Sequence, residues 1–200
     1  GRSRCMRTRL ARGAAALLAA APLWALAGAQ QYEELSASVR ASLARAVTDR
    51  DAAREVDPET AAWVRAMHPR VAERMRDDEA ARELLALVHY EARRAGLEPR
   101  LVLAVIDVES GFRKYAVSSA GARGYMQVMP FWVREIGMPG QSLFHPRTNL
   151  RYGCVILRHY LDIERGNLVN ALGRYNGSLG KPGYPERVLA ALRNRWTPGA

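Results

Sequence analysis

The sequence is poor in the residues that build metal sites, disulfide frameworks and cofactor sites. It has 2 cysteines and 4 histidines among 200 residues. Metal sites bring histidines and cysteines together at short, regular spacings, and no such cluster forms around the four histidines, which are His68, His89, His145 and His159. A glycine-rich phosphate loop is also missing. We therefore expect neither a metal ion nor a cofactor.

Runs of β-branched residues are scarce, and the helix formers Ala, Leu, Arg and Glu dominate instead. Apolar residues make up 48% of the chain, which is enough for a hydrophobic core and argues against disorder. We find no internal repeat and no long low-complexity linker. The composition predicts one mainly α domain with a short extension.

Acidic residues are missing from the first 29 positions, where five arginines lie. The formal net charge of +10 therefore falls to +5 over the remaining residues. Proteins that bind nucleic acid usually carry a stripe of Arg and Lys, often with aromatic residues between them. The sequence has no such stripe, so we expect no binding to nucleic acid.

The longest apolar run, residues 13–27, is about 15 residues long and falls short of the ~20 that a transmembrane helix needs. Basic residues precede it and an A-x-A site, Ala27-Gly28-Ala29, follows it, as in export signals. This predicts a signal peptide over residues 1–29, cleaved after Ala29 or else Ala27. The mature protein would be periplasmic or secreted, with no stable membrane span. A membrane anchor is the alternative.

Removal of the signal peptide would leave Cys154 as the single cysteine, so no internal disulfide could form. Cys154 lies among apolar positions of a predicted helix. Buried cysteines in such surroundings are usually inert, and we expect the same here.

Helix signals recur along the mature chain. Asp57 is a predicted N-cap with Pro58 at the first helical position, and Pro69 should kink or divide that helix. A strongly amphipathic helix follows and is closed by Gly96. Further helices are predicted from Pro99 and over residues 131–136, 149–166, 168–175 and 185–196. The segment 118–124 is predicted to be a loop or a short β excursion, and the segment 175–185 a turn-rich loop.

The helix that begins near Pro99 places a carboxylate beside its apolar face. One stripe at i, i+4, i+7 and i+11 is apolar, and it consists of Leu101, Val105, Val108 and Phe112. Glu109 lies roughly 60° from the centre of that stripe at 3.6 residues per turn. Asp107 falls on the opposite side, where we expect a solvated surface acid.

Two interpretations of Glu109 follow from this position on a helical wheel. Burial would disfavour the charged form and raise the pKa of Glu109, and a carboxyl that stays protonated near neutral pH can donate a proton to a leaving oxygen. Alternatively, Glu109 forms an i,i+4 ion pair with Arg113 at the helix rim. The wheel alone does not decide between them.

Four segments carry a resemblance to a known family: "ESGF", "SSAGARGYMQVMP", "NLRYGCVILRHYL" and "ALGRYNGS". In this order and spacing they resemble the motifs of the lysozyme-like lytic transglycosylases, bacterial enzymes that cleave the glycan strands of peptidoglycan. The resemblance covers about residues 84–196. It implies a mainly α, lysozyme-like domain over residues 84–200, preceded by an additional helical segment over residues 30–83.

The resemblance also implies roles for individual residues. Glu109 matches the catalytic acid/base. The positions matching substrate-contacting segments are Ser110, Gly124, Tyr125, Met126, Gln127, Tyr175 and Asn176, and the matching tyrosine, Tyr175, is expected beside the catalytic carboxyl. Tyr125 stands where the family usually has Leu and Arg174 where it usually has Ala. Met126 on its own would more often be a core residue, and Asn176 with the glycine after it would more often be a turn.

The reaction implied is cleavage between N-acetylmuramic acid and N-acetylglucosamine with formation of a 1,6-anhydro ring. Most glycosidases use two carboxylates, and none of the acids considered as a second one (Asp107, Glu135, Asp162 and Glu164) lies in a suitable pattern. The rivals are a lysozyme-type hydrolase, in which water attacks, and a catalytically silent module that binds peptidoglycan.

Overall fold

The computed structural model describes residues 30–48 and 57–197. The predicted signal peptide lies outside the described residues. Within them the chain forms eight α-helices and a final π-helical turn, with isolated β-bridges in place of strands. The helices are α1 (Ala37–Thr48), α2 (Pro58–Ala72), α3 (Asp78–Arg94), α4 (Pro99–Glu109), α5 (Phe131–Ile136), α6 (Pro146–Ile163), α7 (Leu168–Asn176) and α8 (Gly183–Ala191), and the π-turn is Leu192–Trp196. The prediction of a mainly α fold is confirmed.

Side chains cap several helix starts. The Asp57 carboxylate accepts the backbone N–H of Thr60 at 2.8 Å, which confirms the predicted N-cap of α2 with Pro58 in its first turn. Pro69 does not divide the helix, because it lies inside α2 and the helix continues to Ala72. Only its last turn follows the proline, and that turn buries Val71 in the core.

Helix α4 lies at the centre of the fold. Residues 101–107 are all buried, because α3 packs on one side of the helix and α8 with the π-turn on another. A helix surrounded in this way has no wet face. The single apolar stripe predicted from the sequence therefore accounts for only part of the buried surface of α4.

The prediction that Asp107 is a solvated surface acid is wrong. Its carboxylate is buried and accepts hydrogen bonds from Arg74 at 2.9 Å, Arg195 at 2.6 Å and the indole N–H of Trp196 at 3.2 Å. The π-turn covers this face of α4 and brings two of these partners from the far end of the described chain. A helical wheel cannot show such partners.

The segment before α3 shares the core of the rest. Leu43 and Val47 of α1 and Val64 and Met67 of α2 belong to the same hydrophobic cluster as α4 and α6. The predicted boundary between residues 83 and 84 lies inside α3. Among the described helices, none combines the length and apolar character that crossing a bilayer requires.

Cys154 is fully buried within α6, as predicted. Burial raises the pKa of its thiol well above the ordinary value. The thiolate is the reactive form of cysteine, so burial works against reaction at this side chain.

Candidate active site

Glu109 is the last residue of α4 and lies where three helices meet. Its side chain is directed towards the C-terminal end of α7 and the first turn of α8. The Tyr184 hydroxyl, in that first turn, donates a hydrogen bond to Oε1 of Glu109 at 2.7 Å. Glu109 is 4% exposed, so it does not lie at the solvent-exposed rim that the alternative ion pair with Arg113 requires.

Burial controls the protonation of this acid. The pKa of Glu109 is raised from 4.5 to about 8, because desolvation raises it by more than the Tyr184 hydrogen bond, the charge of Arg187 and the nearby Asn176 amide together lower it. Near neutral pH the side chain is therefore mostly the neutral carboxylic acid. A group in this state can protonate a leaving oxygen, as the apolar placement of Glu109 in the sequence predicts.

Two buried polar atoms at this junction have no hydrogen-bond partner among the described residues. They are Oε2 of Glu109 and Nδ2 of Asn176. An unsatisfied buried polar atom costs about 1–3 kcal/mol. Neither atom meets the geometry of a hydrogen bond, although the Asn176 amide lies near enough to Glu109 to lower the pKa of the acid.

Sequence reasoning missed Tyr184, the residue that holds the acid. It stands in a stretch rich in glycine and proline, which reads as a loop. A signal was nevertheless present, because Tyr184, Val188 and Ala191 follow i, i+4, i+7 spacing and are all buried. That spacing places a hydroxyl on the buried face of the last α-helix.

Tyr175 lies close to the acid but does not hydrogen-bond to it. Its hydroxyl donates to the backbone carbonyl of Met126 at 2.7 Å, and the residue is fully buried. The predicted position of Tyr175 beside the acid is therefore found, but the hydrogen bond to the carboxyl comes from Tyr184. Tyr175 instead ties α7 to the segment that contains Met126 and Gln127.

That segment, residues 116–128, is shaped by the Asn149 side chain. Oδ1 of Asn149 accepts a hydrogen bond from the backbone N–H of Met126 at 2.8 Å. Nδ2 of Asn149 donates to the carbonyls of Arg123 and Leu143, each at 2.8 Å. Gly124 lies against the same amide with φ of 75°, and a Cβ there would come within 2.4 Å of Nδ2. Only glycine fits this conformation and this close approach.

The other predicted substrate residues are directed into the protein. Gln127 has a φ of 48° and donates from Nε2 to the carbonyls of Ala116 at 3.1 Å and Gly124 at 2.9 Å. Met126 is buried against Gly153. The predicted residues that are directed inward in this way are Ser110, Tyr125, Met126 and Gln127. The hydroxyl of Ser110 donates to the Ile106 carbonyl in the turn before it, at 3.1 Å.

The four acids considered as a second carboxylate are all paired with arginines. Asp107 pairs with Arg74 and Arg195. The other three pairs are Glu135 with Arg40 at 3.2 Å, Asp162 with Arg158 at 2.6 Å, and Glu164 with Arg174. Across residues 30–48 and 57–197, no three His, Cys, Asp or Glu side chains gather in the manner of a metal site.

Comparison with known proteins agrees with the resemblance read from the motifs. The family model described as "Transglycosylase SLT domain" matches residues 86–187. A membrane-bound lytic murein transglycosylase C from Actinobacillus pleuropneumoniae is 43% identical over 86 residues, covering 38% of this chain and 24% of the relative. The protein of the same name from Yersinia enterocolitica is 34% identical over 119 residues, covering 52% and 33%. The chain thus spans a quarter to a third of the length of these relatives.

Solved structures of two lytic transglycosylases are also similar. One is an inactive mutant of Slt from Pseudomonas aeruginosa, with 32% identity, a TM-score of 0.43 and coverage of 51% of this chain and 17% of that one. The other is the 70-kDa soluble lytic transglycosylase of Escherichia coli, with 21% identity, a TM-score of 0.43 and coverage of 79% and 28%. The match to the family model extends over half of the sequence, and the chain therefore belongs to the transglycosylase SLT domain family.

Proposed function

We propose that this chain is a peptidoglycan lytic transglycosylase that cleaves the bond between N-acetylmuramic acid and N-acetylglucosamine. The observation that carries the proposal is Glu109, a buried carboxyl with a pKa of about 8, one oxygen held by Tyr184 and the other unpaired. Membership of the SLT family and the names of the curated relatives support the same reaction.

In the proposed reaction, Glu109 acts first as acid and then as base. Its proton passes to the glycosidic oxygen as the bond from that oxygen to the anomeric carbon breaks and the electron pair stays on the oxygen. The acetamide of N-acetylmuramic acid supports the positive charge at the anomeric carbon. The 6-hydroxyl of the same sugar then attacks that carbon, and the Glu109 carboxylate takes up the hydroxyl proton.

The neighbours of Glu109 have separate tasks in this proposal. Tyr184 fixes the carboxyl by binding Oε1, which leaves Oε2 to exchange the proton. Asn176 presents an unpaired amide that can donate to the sugar. The other predicted substrate residues would shape the sugar site from beneath, namely Ser110, Gly124, Tyr125, Met126, Gln127 and Tyr175.

We also propose that residues 84–200 form the catalytic domain and that residues 30–83 form an additional helical segment before it.

We further propose that the enzyme works in the cell envelope, either exported by the signal peptide predicted over residues 1–29 or held by an anchor. The relatives' names describe membrane-bound murein enzymes, and the substrate lies outside the cytoplasm.

The product distinguishes this reaction from hydrolysis by a lysozyme. A water-using enzyme commonly has a second carboxylate roughly 5–9.5 Å from the acid, and the candidates are occupied by arginines. The 6-hydroxyl is held next to the anomeric carbon by the sugar itself and has the advantage of an intramolecular reaction. We expect muropeptides that end in 1,6-anhydro-N-acetylmuramic acid, lighter by one water than lysozyme products.

Mass spectrometry of peptidoglycan digested by the purified protein measures this directly. Reducing N-acetylmuramic acid ends as the main primary product would favour the hydrolase. Intact strands, retained on the protein, would favour the binding module.

Replacement of Tyr184 by Phe should change the pH dependence of cleavage. Glu109 must be protonated to act as acid, so we expect the rate of the wild type to fall as pH rises through about 8. The Tyr184 hydrogen bond lowers the pKa of Glu109, so its loss should move this fall to higher pH. It should also reduce the maximal rate roughly threefold to tenfold, which corresponds to one hydrogen bond of about 1 kcal/mol.

Tyr175→Phe is the matched control, since it removes a hydroxyl that bonds to the Met126 carbonyl. We expect it to lower the free energy of unfolding by about 1 kcal/mol and to leave the pH of half-maximal rate in place. The assignment is reversed if Tyr175→Phe moves that pH and Tyr184→Phe does not.

A further inference from the structure

The first described residues, 30–36, form neither helix nor strand before α1 begins. Three of them contact two parts of the fold that the proposed sugar site uses. One part is the segment 116–128 with the residues that follow it, and the other is α7, which carries Tyr175 and Asn176. We call residues 30–33 the clasp, because its contacts reach both parts.

Gln30 is the most deeply buried residue of the clasp. It is 4% exposed, although glutamine is usually an exposed residue type. Oε1 of Gln30 accepts a hydrogen bond from the backbone N–H of Met129 at 3.2 Å. Met129 directly follows the segment 116–128, so this bond fixes the end of that segment to the clasp.

The Gln30 amide also lies near the Tyr175 hydroxyl. Burial raises the pKa of Tyr175 well above its ordinary value, and the Gln30 amide lowers it by less. The same hydroxyl donates to the Met126 carbonyl at 2.7 Å. One glutamine therefore lies beside the hydrogen bond through which Tyr175 ties α7 to the segment 116–128.

Two outer contacts hold the clasp in the same place. The Tyr32 ring meets the Phe131 ring edge to face, with 5.6 Å between the ring centroids. Glu33 pairs with Arg174 of α7 at 3.1 Å. Arg174 stands where the family usually has Ala, so the partner of Glu33 is a position at which this sequence departs from the family motif.

We propose that the clasp positions the segment 116–128 and α7 relative to each other, and that Gln30 is a positioning residue for cleavage. The inference rests on the proposed function, because it takes the glycan strand to lie between these two parts at Glu109. Gln30 is not a hydrogen-bond partner of Glu109, so it acts through Met129 and Tyr175. Reaction rates depend steeply on the alignment of bound groups, and loosening one side of the site should slow cleavage without altering the acid.

Gln30→Met keeps the length of the side chain and removes the acceptor for the Met129 N–H. Gln31→Met is the matched control, because Gln31 is exposed and forms no hydrogen bond with a described residue. At a temperature where both variants are folded, Gln30→Met should lower kcat on soluble glycan strands roughly fivefold, the effect of one lost hydrogen bond. The pH of half-maximal rate should stay in place, since Glu109 keeps its partners. Gln31→Met should change neither quantity.

Hydrogen exchange followed by mass spectrometry measures the contact itself. Peptides that span residues 126–131 should exchange faster in Gln30→Met and at the wild-type rate in Gln31→Met. Faster exchange with an unchanged kcat would leave Gln30 a purely structural role and overturn the proposal. A lower kcat without faster exchange, or equal losses in the two variants, would overturn it as well.

Glu33→Gln tests the clasp from its exposed end and leaves the core intact. Glu34→Gln is its control, because Glu34 is exposed and forms no ion pair with a described residue. We expect kcat to fall roughly twofold in Glu33→Gln, as for a surface ion pair, and to stay unchanged in Glu34→Gln. Where Gln30→Met does not fold, equal kcat values for these two variants overturn the proposal.

The wild type tests the proposed function separately. A wild type that releases no muropeptides from purified peptidoglycan contradicts the proposed reaction. Calorimetry on intact soluble strands then takes the place of kcat: Gln30→Met should weaken strand binding and Gln31→Met should not. Equal binding by the two variants would overturn the clasp.

Discussion

Glu109→Gln is expected to lower glycan cleavage by about 100-fold or more, the size of a typical contribution from general acid–base catalysis. Gln keeps the shape of the side chain and an acceptor for the Tyr184 hydroxyl, but it has no proton to donate. The rate of release of soluble muropeptides from purified peptidoglycan measures the effect. Near-normal release by the variant would mean that another group is the acid.

The same substitution should change how stability depends on pH. The pKa of Glu109 is about 8 in the folded protein and 4.5 as the ordinary value, so the folded state holds this proton more tightly than the unfolded state. Between these two values the Glu109 contribution to the free energy of unfolding falls as pH rises. The wild type should therefore lose stability relative to Glu109→Gln from about pH 5 to above pH 8, measured by urea denaturation.

Asp162→Asn is a suitable control for both measurements. Asp162 is exposed and pairs with Arg158 one turn earlier on α6, an arrangement worth about 0.3–0.5 kcal/mol. We expect almost no change in cleavage or in the pH dependence of unfolding. Asp107→Asn cannot serve in this way, because it would remove charge from a buried carboxylate that binds two arginines.

Asn149→Ala should cost roughly 2–4 kcal/mol of unfolding free energy. The amide is buried and makes three hydrogen bonds, to Met126, Arg123 and Leu143. Alanine leaves these backbone groups without a partner and opens the space against which Gly124 packs. Because the released segment is the one tied to Tyr175, cleavage should fall as well, even at temperatures where the variant remains folded.

Asn170→Ala provides the comparison for Asn149→Ala. Asn170 is also a helical asparagine, but its side chain is only partly buried and donates one hydrogen bond, to Glu164. Its loss should cost well under 1 kcal/mol, to judge from helix-surface pairs of about 0.2–0.5 kcal/mol. Thermal unfolding of the two variants compares them. Equal losses of stability would show that Asn149 is not the anchor of the segment.

The sequence predicts the helices and the burial of Glu109 because both follow from local patterns. The Asp57 cap needs only neighbouring residues, and the apolar stripe of α4 places Glu109 near its buried side. The structure confirms that burial and the upward shift of the pKa of Glu109. The role of Glu109 in catalysis remains a prediction.

The parts that sequence reasoning missed depend on contacts between distant residues. Tyr184 lies 75 positions after Glu109, and Arg195 lies 88 positions after Asp107. A helical wheel drawn for α4 contains neither partner. Asp107 was therefore predicted to be solvated, and the hydrogen bond from Tyr184 to Glu109 was not predicted. The inward-directed Met126 shows the same limit, since a motif does not reveal which side of a loop faces the core.

The position of the π-turn has a consequence for synthesis of the chain on the ribosome. Asp107 and Glu109 emerge together, yet the residues that enclose them follow 75 to 89 positions later: Tyr184 lies in the first turn of α8, and Arg195 and Trp196 lie in the π-turn. Until those residues leave the exit tunnel, α4 has an exposed apolar side and a carboxylate without its arginine from the π-turn. The acid can therefore acquire its raised pKa only after α8 has been made. A nascent chain that stalls before α8 would carry Glu109 as an ordinary solvated carboxylate.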